Sequence, residues 1–148
     1  MKIGKSKISN KTKLSDVKLL ELNTIMSNGG SLVPIESQKD VPFPIERVFY
    51  VYDVENVHNR GQHSHYETKQ VLICLRGKIE VICDDGTDRE KYVLNSPNEA
   101  IYIPEMIWDE QTYFSKDTVM LVLANTPYKR DDYIEDYERF VNLKKGAK

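Results

Sequence analysis

Apolar positions in this chain come in short bursts separated by turn residues, not in the long 3.6-residue rhythm of helices. From Asp16 onward, a run at 17–22 leads to the turn Ser27-Asn28-Gly29-Gly30, and a second run covers 31–36. The stretch Val41-Pro42-Phe43-Pro44 precedes a run at 47–53 rich in β-branched and aromatic side chains, which suit a pleated, half-buried surface. Residues 54–61 are polar and contain Asn59 and Gly61, which marks a loop. Apolar runs at 69–75 and 78–83 are split by Arg76-Gly77. Asp84-Asp85-Gly86 then signals a hairpin, because Asp and Gly tolerate positive φ. Runs at 90–94, 100–103 and 118–124 complete the series. So many short strands, with no helix-length periodicity between them, predict an all-β sandwich or barrel.

The tail breaks the pattern. Asp131 is placed to cap a short C-terminal helix in which Tyr133, Tyr137, Phe140 and Val141 share one stripe, with Glu135, Asp136, Glu138 and Arg139 on the polar face. At 148 residues, 40% hydrophobic and 30% charged, the chain has the length and mix of one soluble domain. That domain is expected over 16–148, helix included. Residues 1–15 are expected to be a flexible leader, whose lysines come without an aromatic platform. A formal net charge of −2 argues against nucleic acid or an anionic membrane as partner. No apolar run is long enough to span a bilayer or to form a signal peptide. Cys74 and Cys83 lie in strand-like runs at a spacing that fits no zinc signature, and read as buried thiols of a cytoplasmic protein.

His63 and His65 are two residues apart, so an extended strand points both imidazoles to one face. Arg60-Gly61 just ahead permits a tight backbone entry, and small β-barrels place sites at such mouths. His58 reads as an ordinary hydrogen-bonded side chain. The order of Gly, a His-x-His pair, an acidic position and a further Gly resembles the first signature of the cupin superfamily, which implies a jelly-roll β-barrel. Here Gln70 stands at the acidic position, seven residues before Gly77, and a neutral amide is a poor ligand for a divalent transition metal. In the second cupin signature, matched by Pro104-Glu105-Met106-Ile107-Trp108, Asp109 stands where the histidine belongs. His63, His65 and Asp109 still form a conceivable two-His-one-carboxylate set. The broken pattern favours acid–base chemistry without metal or cofactor.

A narrower resemblance rests on Gly30-Ser31-Leu32-Val33-Pro34-Ile35-Glu36, Pro42-Phe43, the run at 47–53 and Arg60-Gly61-Gln62-His63-Ser64-His65. It continues through the run from Gln70 to Gly77, Tyr102-Ile103-Pro104, Trp108, Val122-Leu123-Ala124 and Asp132-Tyr133-Ile134. Over about 30–140 the chain resembles the sugar-nucleotide 3,4-ketoisomerases that act on dTDP-4-keto-6-deoxyglucose. The resemblance implies a metal-independent tautomerisation: a base removes the C3 proton, an enediol forms, and a proton returns at C4 to leave a 3-keto sugar. It also implies a dTDP-linked keto-sugar as ligand and a homodimer that exchanges N-terminal strands. The expected setting is deoxysugar synthesis for bacterial surface glycans.

A proton next to a ketone is acidified, so a base titrating near neutrality suffices, and imidazole fits best. By position in the family block, His65 is the expected base and His63 its partner in proton handling. Tyr50 is a candidate proton relay at the sugar oxygens, since a phenol both donates and accepts. Arg60 is expected to neutralise a pyrophosphate oxygen or anchor the loop, with Trp108 over the sugar or nucleotide and Gln70 orienting a histidine or the ligand. Tyr102 and Asp109 complete the expected substrate-binding set. The family commonly has histidine where this chain has Asp109 and a basic residue where it has Tyr66, which leaves open the product's C4 configuration and the exact sugar. A keto-sugar epimerase and a non-catalytic sugar-nucleotide-binding protein are the alternatives on the same fold.

Overall fold

Period-two burial accounts for most of the strands. On β7 (Ile79–Asp84) the side chains of Ile79, Val81 and Cys83 are buried between half-exposed neighbours, and on β11 (Val119–Ala124) Met120 and Val122 turn inward. The computed structural model describes residues 11–55 and 59–146, so His58 lies outside the described residues. The other strands are β1 (Lys18–Glu21), β2 (Ile25–Ser27), β3 (Gly30–Leu32), β4 (Arg47–Val51), β5 (Asn59–His65), β6 (Gln70–Arg76), β8 (Arg89–Leu94), β9 (Glu99–Ile103), β10 (Trp108–Tyr113) and β12 (Tyr133–Ile134). They are joined by one described α-helix, α1 (Tyr137–Lys144). Two antiparallel five-stranded sheets result, ordered β1-β9-β6-β11-β4 and β12-β5-β10-β7-β8, while β2 and β3 form a hairpin of their own. This is the expected all-β jelly-roll type of sandwich with a short C-terminal helix.

The main core lies between the sheets, where Leu72, Cys74, Ile101 and Met120 meet Ile79, Val81, Cys83 and Tyr113. Each large aliphatic side chain buried there contributes roughly 1.5–3 kcal/mol, which drives closure of the sandwich. β6 is buried on both faces, because Val41 and Phe43 of the segment between β3 and β4 cover Val71 and Ile73 from outside. That double burial is why it reads as an unbroken apolar run. Outside the second sheet, Trp108 and Met106 pack under α1 with Ile134, Phe140 and Leu143. Cys74 and Cys83 are free and buried, and burial pushes both thiols up.

Some boundaries differ from expectation. The helix does not start at Asp131. Its neighbour Asp132 accepts the backbone N–H groups of Glu67 (2.8 Å) and Thr68 (3.2 Å) and the Thr68 hydroxyl, while Tyr133 and Ile134 are taken up by pairing with His65 and Ser64. Asp136 is the true N-cap, its carboxylate accepting the Arg139 N–H. The run at 31–36 is strand only to Leu32; Pro34 beyond it has no N–H for a ladder. β5 reaches back over Asn59, Arg60 and Gly61, which polar composition marks as loop. No apolar run announces β10, since Asp109, Glu110, Gln111 and Thr112 interrupt the pattern. Within the expected leader, Thr12 is buried, Lys144 donates to its carbonyl, and the Leu14 N–H donates to Asp85 Oδ2 at 3.1 Å. Among the described residues no helix is long and apolar enough to cross a membrane.

Candidate active site

β5 delivers the histidine pair to the space between the sheets. Gly61 has φ +80° and Gln62 has φ 54°, so the strand enters through a left-handed kink opposite a register shift at Asp109/Glu110 of β10. A Cβ on Gly61 would sit 3.0 Å from both the main-chain oxygen and Oδ2 of Asp109, so glycine is what lets the two strands meet there. Past the kink, the His63 and His65 rings lie 4.9 Å apart at a steep angle. The His63 Nδ1 donates to the Gly61 carbonyl at 2.8 Å, and since a carbonyl only accepts, the lone pair of neutral His63 is on Nε2. His63 is half-buried. His65 is only 4% exposed, and burial, then the neighbouring His63 and Arg47 charges, push it down to about 3. Its Nε2 is buried without a hydrogen-bond partner among the described residues.

Tyr133 of β12 closes one side of the pair, 4.5 Å from the His65 ring and 5.1 Å from that of His63. Tyr128 continues the wall at 5.8 Å from Tyr133, and the Arg47 guanidinium lies over Tyr128 (5.8 Å) and Phe49 (5.7 Å). Arg47, Ala124 and Gln70 stand side by side across β4, β11 and β6, so Gln70 faces the same inner space. Arg47 Nε and Nη2 are buried and meet no acceptor among the described residues. Buried polar groups are nearly always bonded, so these N–H groups and the His65 nitrogen keep hydrogen-bonding capacity to offer. On β10, Asp109 pairs with His63 and is 1% exposed; burial raises its carboxyl, while a charge on His63 and the Gln111 hydrogen bond lower it.

Sequence patterns singled out His63, His65, Gln70 and Asp109, and these do converge. Arg47, Tyr128 and Tyr133 were missed as site residues, although the Asp132-Tyr133-Ile134 match pointed at the last. Four expected residues are not brought to the histidines in this chain. Tyr50 alternates with Arg47 and Phe49, so it faces outward and is 64% exposed. Arg60 is exposed and shares a cleft of about 670 Å³ with Tyr50, Tyr52 and Glu55. Tyr102 lies on the outer face of the first sheet, 6.2 Å from Phe43, beside a cleft of about 760 Å³. Trp108 belongs to the helix-covered face, 5.3 Å from Tyr137 and 5.8 Å from Phe140, its indole N–H donating to Glu110 at 3.2 Å.

Residues 15–145 match the family described as FdtA: WxcM-like, C-terminal. The chain belongs to that family. It is 40% identical over 134 residues to the TDP-4-oxo-6-deoxy-alpha-D-glucose-3,4-oxoisomerase of Aneurinibacillus thermoaerophilus, covering 86% of this chain and 96% of that one. A histidine-to-asparagine variant of the 3,4-ketoisomerase QdtA from Thermoanaerobacterium thermosaccharolyticum, solved in complex with TDP-4-keto-6-deoxyglucose, superposes with a TM-score of 0.86 at 35% identity. The alignment covers 90% of this chain and 97% of QdtA. The dTDP-4-dehydrorhamnose 3,5-epimerase of Bacillus anthracis aligns with a TM-score of 0.71 over 83% of this chain and 79% of its own, and at 16% identity shares the fold alone. The expected ketoisomerase family is thus borne out, on the expected fold.

Proposed function

We propose that this protein is a 3,4-ketoisomerase of TDP-linked 4-keto-6-deoxyglucose. The observation that carries the reading is the inward-facing His63–His65 pair, with His65 Nε2 and the buried Arg47 N–H groups left unbonded among the described residues. The reaction is a proton relocation without net redox change. The C3 proton leaves to a base, the C3–C4 enediol forms, the O3 proton is lost as O4 gains one, and C4 is protonated to give the 3-keto sugar.

Burial divides the roles of the two imidazoles. A base works best when it titrates near the operating pH, and His65, held down to about 3, is a weak proton acceptor. His63, half-buried with Nε2 free to accept, is the better base for C3, which exchanges the roles that family position suggested. His65 stays neutral at pH 7 and suits proton exchange at the sugar oxygens, since neutral imidazole donates and accepts. Arg47 offers its free N–H groups to an oxygen of the same ligand, and Gln70 contributes an amide beside it.

We read the working unit as a homodimer with exchanged N-terminal strands. The β2–β3 hairpin pairs with neither sheet, and Met26 at its centre is 80% exposed. Free, buried Cys74 and Cys83 suit a cytoplasmic setting.

The deciding experiment is incubation with TDP-4-keto-6-deoxyglucose in D₂O, followed by NMR of the sugar. The expected result is a 3-keto product with deuterium at C4, and a loss of at least a hundredfold in turnover for His63→Asn with binding retained. A ketone that stays at C4 with exchange at C3 or C5 would show an epimerase instead. Ligand binding without any exchange would show a non-catalytic protein.

A further inference from the structure

We infer that Asp109 is a positioning residue for His63, a buried carboxylate held in place to stabilise the imidazolium that forms when His63 takes the sugar proton. The inference rests on the reading of His63 as base. Asp109 heads an inward column on β10, with Gln111 and Tyr113 below it, all buried. The Tyr113 hydroxyl donates to Gln111 Oε1 at 3.3 Å, which turns the Gln111 amide nitrogen to donate to Asp109 Oδ2 at 2.8 Å. The column therefore fixes the carboxylate at the strand position paired with His63, whose charge acts on it. Gly61 completes the arrangement: it holds the His63 ring through its carbonyl and, lacking a Cβ, leaves room for Asp109 Oδ2 beside it.

Asp109 is only 1% exposed, less open to a ligand than the half-buried His63. It is not needed to set the His63 tautomer, which the Gly61 carbonyl does. What remains is charge. A buried carboxylate is costly unless it has a counter-charge, and protonated His63 supplies one. Each group favours the ionised form of the other. The other ionisable groups around the pair are Arg60 and His65 on β5, Glu110 on β10, Cys83 on β7, Tyr133 on β12 and, next to His65, Arg47 on β4. Of these, Glu110 opposes ionisation of Asp109, and His65 is neutral.

Asp109→Asn tests this, because it keeps the volume and the acceptor for Gln111 but removes the charge. The expected result is a kcat at least tenfold lower with KM within about twofold, and an acid limb of kcat/KM about one pH unit lower. In the ligand-free enzyme, the NMR titration of the His63 ring should move down by the same amount. An unmoved His63 titration overturns the inference whatever the activity, and so does a raised KM with kcat intact. Should Asp109→Asn not fold, Gln111→Leu serves: it releases the carboxylate, and a smaller shift in the same direction is expected, no shift being fatal. Because the titration uses no substrate, a wild type inert toward TDP-4-keto-6-deoxyglucose sinks the ketoisomerase reading and leaves this one to be judged separately.

Discussion

Two imidazoles two residues apart on one strand have become different chemical groups because burial treats them differently. His65 titrates near 6.5 in an unfolded chain and near 3 here, so between those values the unfolded chain holds more protons. Its contribution to stability is therefore complete above about pH 6.5 and is lost progressively as pH falls toward 3. Between pH 7 and pH 5 the loss is about 2 kcal/mol. His65→Gln, which has no charge to gain, should lack that component in urea unfolding at the two pH values. Identical pH dependence in both proteins would mean that His65 is not held neutral by the fold.

At the scale of elements, the site is a property of the β5–β10 contact. The kink at Gly61 and the register shift at Asp109/Glu110 belong together, since one strand's left-handed turn makes the space the other strand's carboxylate fills. Gly61→Ala adds a methyl group in a left-handed backbone position against Asp109. It should cost about 1–3 kcal/mol in denaturant unfolding and lower turnover as His63 shifts. A variant with wild-type stability would mean that the kink relaxes freely. The helix α1 plays no comparable part: it seals Trp108, Met106 and Ile134 on the far side of the same sheet.

Several large apolar side chains stand on the outside of the described fold. Leu19 on β1, Val48 and Tyr50 on β4, and Ile25, Met26 and Leu32 on the hairpin are all exposed, which places them on edges and outer faces where a second copy could dock. Met26→Asp should convert a dimer into a monomer in light scattering after gel filtration, with the far-ultraviolet circular dichroism unchanged. A wild type that is already monomeric would remove the exchanged-strand arrangement. The proposed dimer bears on Tyr50 and Arg60 as well, since both lie in an open cleft away from the histidines of their own chain.

What the sequence by itself determined is local. Period-two alternation announced most strands, Gly86 sits at φ +92° as the Asp-Asp-Gly turn required, and the spacing of His63 and His65 placed both rings on one face. Together with the Arg60-Gly61 block and Gln70, those residues were enough to indicate the family. Only the tertiary structure decided which face of each strand becomes interior. That choice sends Arg47 inward and Tyr50 outward, buries Trp108 under a helix, and takes Tyr133 out of an expected helix to stand against His65. The physical reason is that alternation fixes only which side chains share a face. What that face meets depends on pairings between residues far apart in the chain, and burial, which separates His65 from His63, is set by those pairings alone.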